Sequence, residues 1–217
     1  MGGIADKFAE AGQFDQALQI ARTIEAPEGK AYELSQIADK YVKATRFEEA
    51  GRILDEAKQI AETIKDPTSK YSTLESLSAS YAQAGQFDQA TQVGATIENP
   101  YFKTSALQAI AEIYEKAGQI DKAVELLSQA VQVIKTVKQG KDYSAPRNSA
   151  ENTLMEMAGS YYATKGQFTL ALYVVKSLDD VSDQAYTLAR IGGKYARCQT
   201  LDGHARHILH DIIAANE

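Results

Sequence analysis

The residues best suited to chemistry are three histidines close to the end of the chain. His204, His207 and His210 fall within seven residues, and Asp211 follows directly. If this stretch is helical, His204, His207 and Asp211 lie on one side of the helix and could converge on a metal ion. The opposite side of that helix is apolar, so the histidines also fit the water-facing side of an amphipathic helix. We favour this second interpretation.

Sequence motifs of enzymes and of metal or phosphate sites are not found elsewhere. Gly29-Lys30 and Gly140-Lys141 lack the spacing, and the following Ser or Thr, of a phosphate-binding loop. No Cys-x-x-Cys, His-Glu-x-x-His or Gly-x-Ser-x-Gly occurs. The single cysteine, Cys198, cannot form an internal disulfide and has no evident base near it. We therefore expect no enzymatic activity, no catalytic or metal-binding residue and no cofactor.

The composition indicates a folded, acidic chain. Its 217 residues carry a formal net charge of −6, with 44% hydrophobic and 24% charged residues. No apolar run has the length that spans a membrane, and no secretory signal is visible, so we expect a cytoplasmic protein without a membrane partner. The acidic balance also argues against a surface that follows nucleic-acid phosphates.

A short motif recurs along the whole chain. Ala11–Ala17, Ala-Gly-Gln-Phe-Asp-Gln-Ala, returns unchanged at Ala84–Ala90 and with small changes at Ala117–Ala123. Weaker copies, of which the first lacks the glycine, lie at Thr45–Ala50, Lys165–Ala171 and Cys198–Asp202. Such self-similarity at a period of 20–50 residues is the sequence signature of repeat proteins.

Each copy lies between two predicted amphipathic helices. Upstream of it, an apolar anchor is followed four residues later by an aromatic residue, a spacing that keeps both on one helix face. The anchors are Ile4, Ile37, Leu77, Ile110, Ala158 and Ile191. Glycine suits the left-handed turn that ends the first helix, and Pro27, Pro67 and Pro100 suit the first position of the next pair.

The spacing of the anchors alternates between short and long repeats. They recur after 33, 40, 33, 48 and 33 residues. The pattern predicts that the second helices of the two long repeats extend over Phe47–Ile64 and Ile120–Val137. A loop, Lys138–Arg147, is predicted to follow the second of these helices, and long loops in compact repeats are often functional.

The repeats share an ordered set of residues: a large apolar residue, a second apolar residue followed by a small one, then Tyr, a turn Gly, an aromatic residue and spaced alanines. The second, third and fourth repeats supply it as Leu34, Ile37-Ala38, Tyr41, Phe47, Ala50 and Ala57; Leu74, Leu77-Ser78, Tyr81, Gly85, Phe87 and Ala90; and Leu107, Ile110-Ala111, Tyr114, Gly118 and Ala123. Helix–turn–helix units of this pattern resemble the tetratricopeptide repeat family. Leucine or methionine stands where the family has tryptophan, and the long repeats exceed the family's usual length.

The resemblance implies an all-α fold: a right-handed α-solenoid of about six helix–turn–helix repeats in a single domain, residues 1–217. We place the repeats at approximately 1–28, 29–67, 68–100, 101–146, 147–180 and 181–217. The helix that contains Ile4 lacks the upstream leucine of the others. We therefore expect the chain to be part of a longer protein on its N-terminal side.

In the family, the first helix of each pair lines a concave groove that holds a partner segment. Carried over by position, the expected contacts are Tyr32, Asp39, Lys43, Gln83, Glu112, Glu115, Lys116, Glu156, Tyr186 and Arg197. A second set of contacts is expected in the long loop, at Lys138, Lys141 and Arg147. Some relatives grip a terminal carboxylate with Lys, Asn and Arg, but the matching positions here are mostly Asp, Glu, Ser and Gln. Because the groove leans acidic, a basic or neutral segment would suit it.

Three functions remain open at this stage. The first, which we favour, is a non-catalytic scaffold that binds a peptide or protein segment in its groove, with no nucleic acid and no membrane involved. The second is a structural module that self-associates through exposed solenoid ends. The third and most remote is a metal site on the C-terminal helix.

Overall fold

The structure, a computed structural model of the 217-residue chain, describes residues 2–139, 155, 157–163, 166–178, 180–195 and 203–214. These parts of the chain are helical and contain no strand. The helices are α1 (Gly2–Glu10), α2 (Phe14–Arg22), α3 (Pro27–Lys43), α4 (Phe47–Glu62), α5 (Pro67–Gln83), α6 (Phe87–Thr96), α7 (Pro100–Lys116), α8 (Ile120–Gln139), a π-helical turn π1 (Met157–Tyr162), α9 (Phe168–Lys176), α10 (Val181–Tyr195) and α11 (Gly203–Ala214). The predicted all-α fold of paired helices is confirmed.

The turn within each pair is built as the repeated glycine predicts. Gly12, Gly85, Gly118 and Gly166 have φ between 75° and 77°, in the left-handed region where a Cβ is unfavourable. The next amide in the chain, as at Gln13, donates back to the carbonyl five residues earlier at 2.8 Å. This is a Schellman ending, which satisfies the last carbonyls of the helix.

The boundaries between pairs also follow the sequence. Pro27, Pro67 and Pro100 each occupy the first turn of a helix, where a missing N–H costs nothing. Asp66 caps α5 by accepting a hydrogen bond from the Ser69 amide at 2.7 Å. That bond lowers the pKa of the Asp66 carboxyl. The start of each of these pairs is therefore encoded locally.

Two predicted helix ends need correction. The long helix α4 ends at Glu62, two residues before the predicted Ile64. Helix α8 continues to Gln139, so the backbone of Lys138 lies in the last turn of that helix and not in the predicted loop. Lys and Gln are good helix formers, so the helix continues through this polar pair once its apolar stripe has ended. Lys141 and Arg147 lie outside the described residues.

Residues 1–120 form one compact unit. Its first helices, α1, α3, α5 and α7, pack side by side and are named A helices; α2, α4 and α6 pack against them and are named B helices. The anchors Ile37, Leu77 and Ile110 are fully buried between these layers. Ile4 holds the same register on α1 but is 55% exposed, because α1 has an A-helix neighbour on one side only among the described residues.

Aromatic side chains join successive pairs of this unit near their turns. The ring of Phe14 stacks on Tyr41 with centroids 4.0 Å apart, and Phe87 stacks on Tyr114 at 4.1 Å. Tyr81, which lies between these two contacts in the chain, is fully buried, and its hydroxyl donates to an aspartate of α4 at 2.7 Å. Each A helix from α3 to α7 is therefore fixed to the preceding pair at its C-terminal end.

Residues 121–217 form the second compact unit. Within it, α9 packs against π1, α10 and α11. Its core includes Leu170, Val174 and Tyr162, all fully buried. The sequence predicts an α-helix around Ala158 and Tyr162, whereas the structure has the wider π1 turn. Beside Gly159 of this turn, the side chain of Arg190 approaches so closely that a Cβ would lie 3.3 Å from its Nε.

Candidate functional site

The A helices of the first unit present one continuous face away from the B helices. A helix advances about 100° per residue, so positions five before, one before and six after an anchor lie roughly opposite the buried stripe. We call the surface that these positions form on α3, α5 and α7 the A face; on α1 the position six after the anchor is Glu10, which pairs with Lys40 of α3. The A face consists of Tyr32, Gln36 and Lys43 on α3; Ser72, Ser76 and Gln83 on α5; and Ser105, Ala109 and Lys116 on α7. All nine side chains are exposed or half-buried.

Acidic side chains on the flanks of the A helices contact neighbouring helices. Nζ of Lys40 on α3 lies 3.1 Å from Asp6 and 2.9 Å from Glu10, both on α1. These two carboxylates raise the pKa of the Lys40 ammonium. On the other side of the unit, the Ser105 hydroxyl of α7 donates to Glu75 of α5. These carboxylates hold the layer of A helices together.

Three more acids near this layer are buried or half-buried. Glu33 and Glu112 are 8% and 7% exposed, and Asp39 is half-buried. Burial raises the pKa of Asp39, and the Ser80 hydroxyl and two nearby lysines only partly offset that effect. Burial also raises the pKa of Glu33, with a further contribution from the charge of Asp6. Burial therefore limits how far these carboxylates can serve as surface charges.

The structure brings together four of the predicted contacts on the A face and separates others from it. Tyr32 is 56% exposed, and Lys43, Gln83 and Lys116 are exposed as well. Of the remainder in this unit, Glu115 is half-buried, and Asp39 and Glu112 have the environments given above. Tyr186 lies on α10 of the second unit, 59% exposed, with the Arg190 guanidinium 5.8 Å from its ring. Two predicted contacts, Glu156 and Arg197, lie outside the described residues.

Sequence reasoning missed most of the small residues of the A face. They are Gln36, Ser72, Ser76, Ser105 and Ala109. Three of the predicted contacts, Asp39, Glu112 and Glu156, instead hold positions two residues from the anchor, which lie nearer the flanks; Ser35, at another such position, is only 3% exposed. The signal that could have found the missing residues is the helical angle itself, measured from each anchor.

Of the histidine cluster, the described side chains of His207, His210 and Asp211 do not assemble a metal site, and the side chain of His204 lies outside the described part of the structure. Asp211 accepts a hydrogen bond from Nζ of Lys176 at 2.7 Å, and this partner lowers the pKa of the Asp211 carboxyl. Nε2 of His207 is 4.0 Å from the other oxygen of Asp211. No group of three His, Cys, Asp or Glu side chains is arranged to hold a metal in the parts of the chain that the structure describes.

Antiparallel helix pairs joined by glycine turns, with first helices packed in a row, define an α-helical repeat protein. Residues 106–139 match the family model of the tetratricopeptide repeat. Because this stretch is in phase with the other copies of the motif, the resemblance seen in the sequence is confirmed at this repeat, and the fold is a tetratricopeptide-like helical repeat.

Solved structures of similar fold come from several organisms. Ton1535 from Thermococcus onnurineus NA1 superposes with a TM-score of 0.51 and 19% identity, over 88% of this chain and 56% of that chain. The TPR-like repeats of a kinesin light chain-like protein from Podosopora anserina give 0.38 and 21%, over 88% and 96%. BtubC (BKLC) from P. vanneervenii gives 0.40 and 17%, over 98% and 84%.

The likeness to Ton1535 concerns the fold alone. The chain spans about half the length, 56%, of Ton1535. The search of curated proteins gave no match. Among the described residues, no helix has both the length and the apolar character needed to cross a lipid bilayer.

Proposed function

We propose that the chain is a non-catalytic scaffold that binds a segment of another protein on the A face. Tetratricopeptide repeats generally mediate protein–protein interaction. The observation that carries the proposal is the composition of the A face, which extends over three helices and includes three serines and one alanine beside one exposed tyrosine, Tyr32. Small side chains allow a bound backbone to approach closely, and tyrosine is enriched at protein interfaces.

The test compares two variants with the same added charge. In the first, Ser72→Arg and Ser76→Arg place two large side chains in the middle of the A face. In the control, Gln59→Arg and Gln92→Arg place them on exposed positions of α4 and α6, on the other layer. Each protein is immobilised and exposed to lysate of the source cells, and the captured proteins are identified by mass spectrometry after circular dichroism has shown equal helicity.

A partner held by the wild type and the control, but lost by the Ser72→Arg, Ser76→Arg variant, supports the proposal. A partner held equally by all three proteins contradicts it and directs attention to Lys138, Lys141 and Arg147 or to the solenoid ends. Recovery of the chain itself, with sedimentation that depends on concentration, would favour the self-association alternative. The metal alternative is tested by calorimetric titration with zinc, where the absence of heat and of a stability shift removes it.

A further inference from the structure

The charge that the A face offers to a partner differs from the charge counted along the sequence. Asp6 and Glu10 are ion-paired with Lys40, and Glu75 accepts a hydrogen bond from Ser105. These carboxylates belong to contacts between A helices, so a cationic partner would have to compete with groups that already satisfy them. Each of these carboxylates keeps its negative charge but already has a partner within the layer of A helices.

The charges that remain on the A face are basic. Among its nine residues, Lys43 and Lys116 are the two that carry a charge, and both side chains are exposed. They hold the same register, six residues after the anchors Ile37 and Ile110, on α3 and α7. Gln83 holds that register on α5, between them. The A face therefore has a row with the order cation, amide, cation, beside rows that are uncharged.

The separation of the two lysines sets the length of segment that can reach both. Packed helices lie about 8–10 Å apart, so two steps from α3 to α7 span roughly 16–20 Å. An extended chain advances about 3.3 Å per residue, so this distance corresponds to about five or six residues. A carboxylate at each end of such a segment would meet one lysine, and the side chain between them would meet the Gln83 amide.

We infer that the partner is an extended acidic segment that crosses α3, α5 and α7, with two Asp or Glu side chains five or six residues apart. This inference rests on the proposed function and names the chemistry of its partner. The recognised carboxylates are side chains within the segment, so a free C-terminus is not required.

The test is a selection from a random library of twelve-residue peptides, displayed without a free C-terminus, on the immobilised full-length chain. Three variants are selected in parallel. The first, called the reversed variant, changes the two positive charges of the row to negative ones with Lys43→Glu and Lys116→Glu. The second is its control and makes the same change of net charge away from the A face, with Arg52→Glu and Lys65→Glu. The third, called the blocked variant, carries Ser76→Trp and Gln83→Trp, which add bulk without charge in the middle of the A face and so report on the proposed function alone.

The expected result is enrichment of peptides with acidic residues five or six apart on the wild type and on the Arg52→Glu, Lys65→Glu control. For one such peptide at low salt, the Lys43→Glu, Lys116→Glu variant should lose about tenfold in affinity, since two exposed ion pairs become repulsive. The control should lose less than about twofold, because its changed charges lie outside the contact. Selection on the reversed variant should yield basic peptides.

Two outcomes separate the inference from the proposed function. Enrichment of basic or uncharged peptides that the blocked variant fails to bind would overturn the inference while leaving the A face as a binding site. Absence of any peptide that the wild type binds better than the blocked variant would overturn the proposed function and the inference with it. An equal loss of affinity in both charge-changed variants would also overturn the inference, because it would show a dependence on net charge alone.

Discussion

At the scale of single residues, Asp39 shows how the fold changes the role of a side chain. Its position on α3 predicts a surface carboxylate, yet the residue is half-buried and its Oδ1 has no hydrogen-bond partner in the structure. Burial disfavours the charged form and raises the pKa of the carboxyl. When the pKa of a carboxyl is higher in the folded than in the unfolded chain, the folded protein loses stability as the pH rises through the folded pKa.

This sign predicts the effect of Asp39→Asn. Asparagine keeps the shape and can still bond to Ser80 but carries no buried charge, so the variant should melt about 1–3 °C above the wild type at pH 7. The difference should shrink as pH falls through the folded pKa towards the ordinary value of 3.8. The measurement is thermal unfolding by circular dichroism from pH 4 to 8. Asp88→Asn, on the exposed first turn of α6, is the control and should give no such gain.

A lower melting temperature of Asp39→Asn at pH 7 would contradict this account. It would show that the attraction of Lys40 and Lys43 for the carboxylate outweighs the cost of burying it.

At the scale of helices, the contact between α4 and the turn before α6 depends on one glycine. Gly51 is buried in the middle of α4, and a Cβ at that position would lie 1.9 Å from Nε2 of Gln86. The amide end of Gln86 therefore occupies the space that any other residue would need. Since glycine within a helix costs about 1 kcal/mol relative to alanine, a gain from close packing has to offset that cost.

We predict that Gly51→Ala gives little or no gain in the wild-type chain, because the Gln86 side chain must leave its place. In a Gln86→Ala background the same substitution should stabilise the protein by about 1 kcal/mol, the ordinary helix-propensity difference. Urea unfolding of the two single variants and the double variant measures the coupling. Gly94→Ala on α6 is the matched control; its Cβ would lie 3.5 Å from Ile110, an ordinary contact, so it should be stabilising by itself. If Gly51→Ala raised the free energy of unfolding equally in both backgrounds, the Gln86 side chain would not occupy the space beside Gly51.

The features that the sequence predicted correctly are those with a local cause. A left-handed turn favours glycine wherever it occurs, and a proline in the first helical turn acts through its own ring, so both could be read from one repeat at a time. Thr45 is an exception to the preference for glycine in this turn. It replaces the glycine in one copy, and with φ of 59° it holds the same turn at a cost of about 1–2 kcal/mol.

The features that the sequence did not reveal depend on residues distant in the chain. The place of Gln86 against Gly51, the ion pair of Lys40 with Asp6 and the burial of Glu112 all require the packing of neighbouring repeats. The acidic groove predicted from the sequence takes no account of those contacts. On α3, α5 and α7 the residues of the A face are neutral or basic, and the acidic partner inferred above follows from that arrangement.

At the scale of the whole molecule, the packing in the first compact unit is between neighbouring helices. Each A helix contacts the A helix before or after it and the adjacent B helices. Stability in such repeat arrays is approximately a sum of terms for each repeat and for each interface between neighbours. A fragment cut between two helices should therefore keep the interfaces that it contains, whereas a cut within a helix should destroy one.

We predict that residues 1–120 fold without residues 121–217 and keep the A face. The fragment ends just beyond the Gly118 turn and retains Lys43, Gln83 and Lys116. It should melt cooperatively by circular dichroism and bind the selected acidic peptide within about twofold of the full chain, because every residue of the A face is present. A fragment of residues 1–105 is the control. It lacks Tyr114, the stacking partner of Phe87, and Lys116, so it should melt at a lower temperature and bind the peptide more weakly. An unfolded 1–120 fragment, or equal peptide binding by the two fragments, would contradict the prediction, because either result would place the stability or the recognition outside the row of A helices.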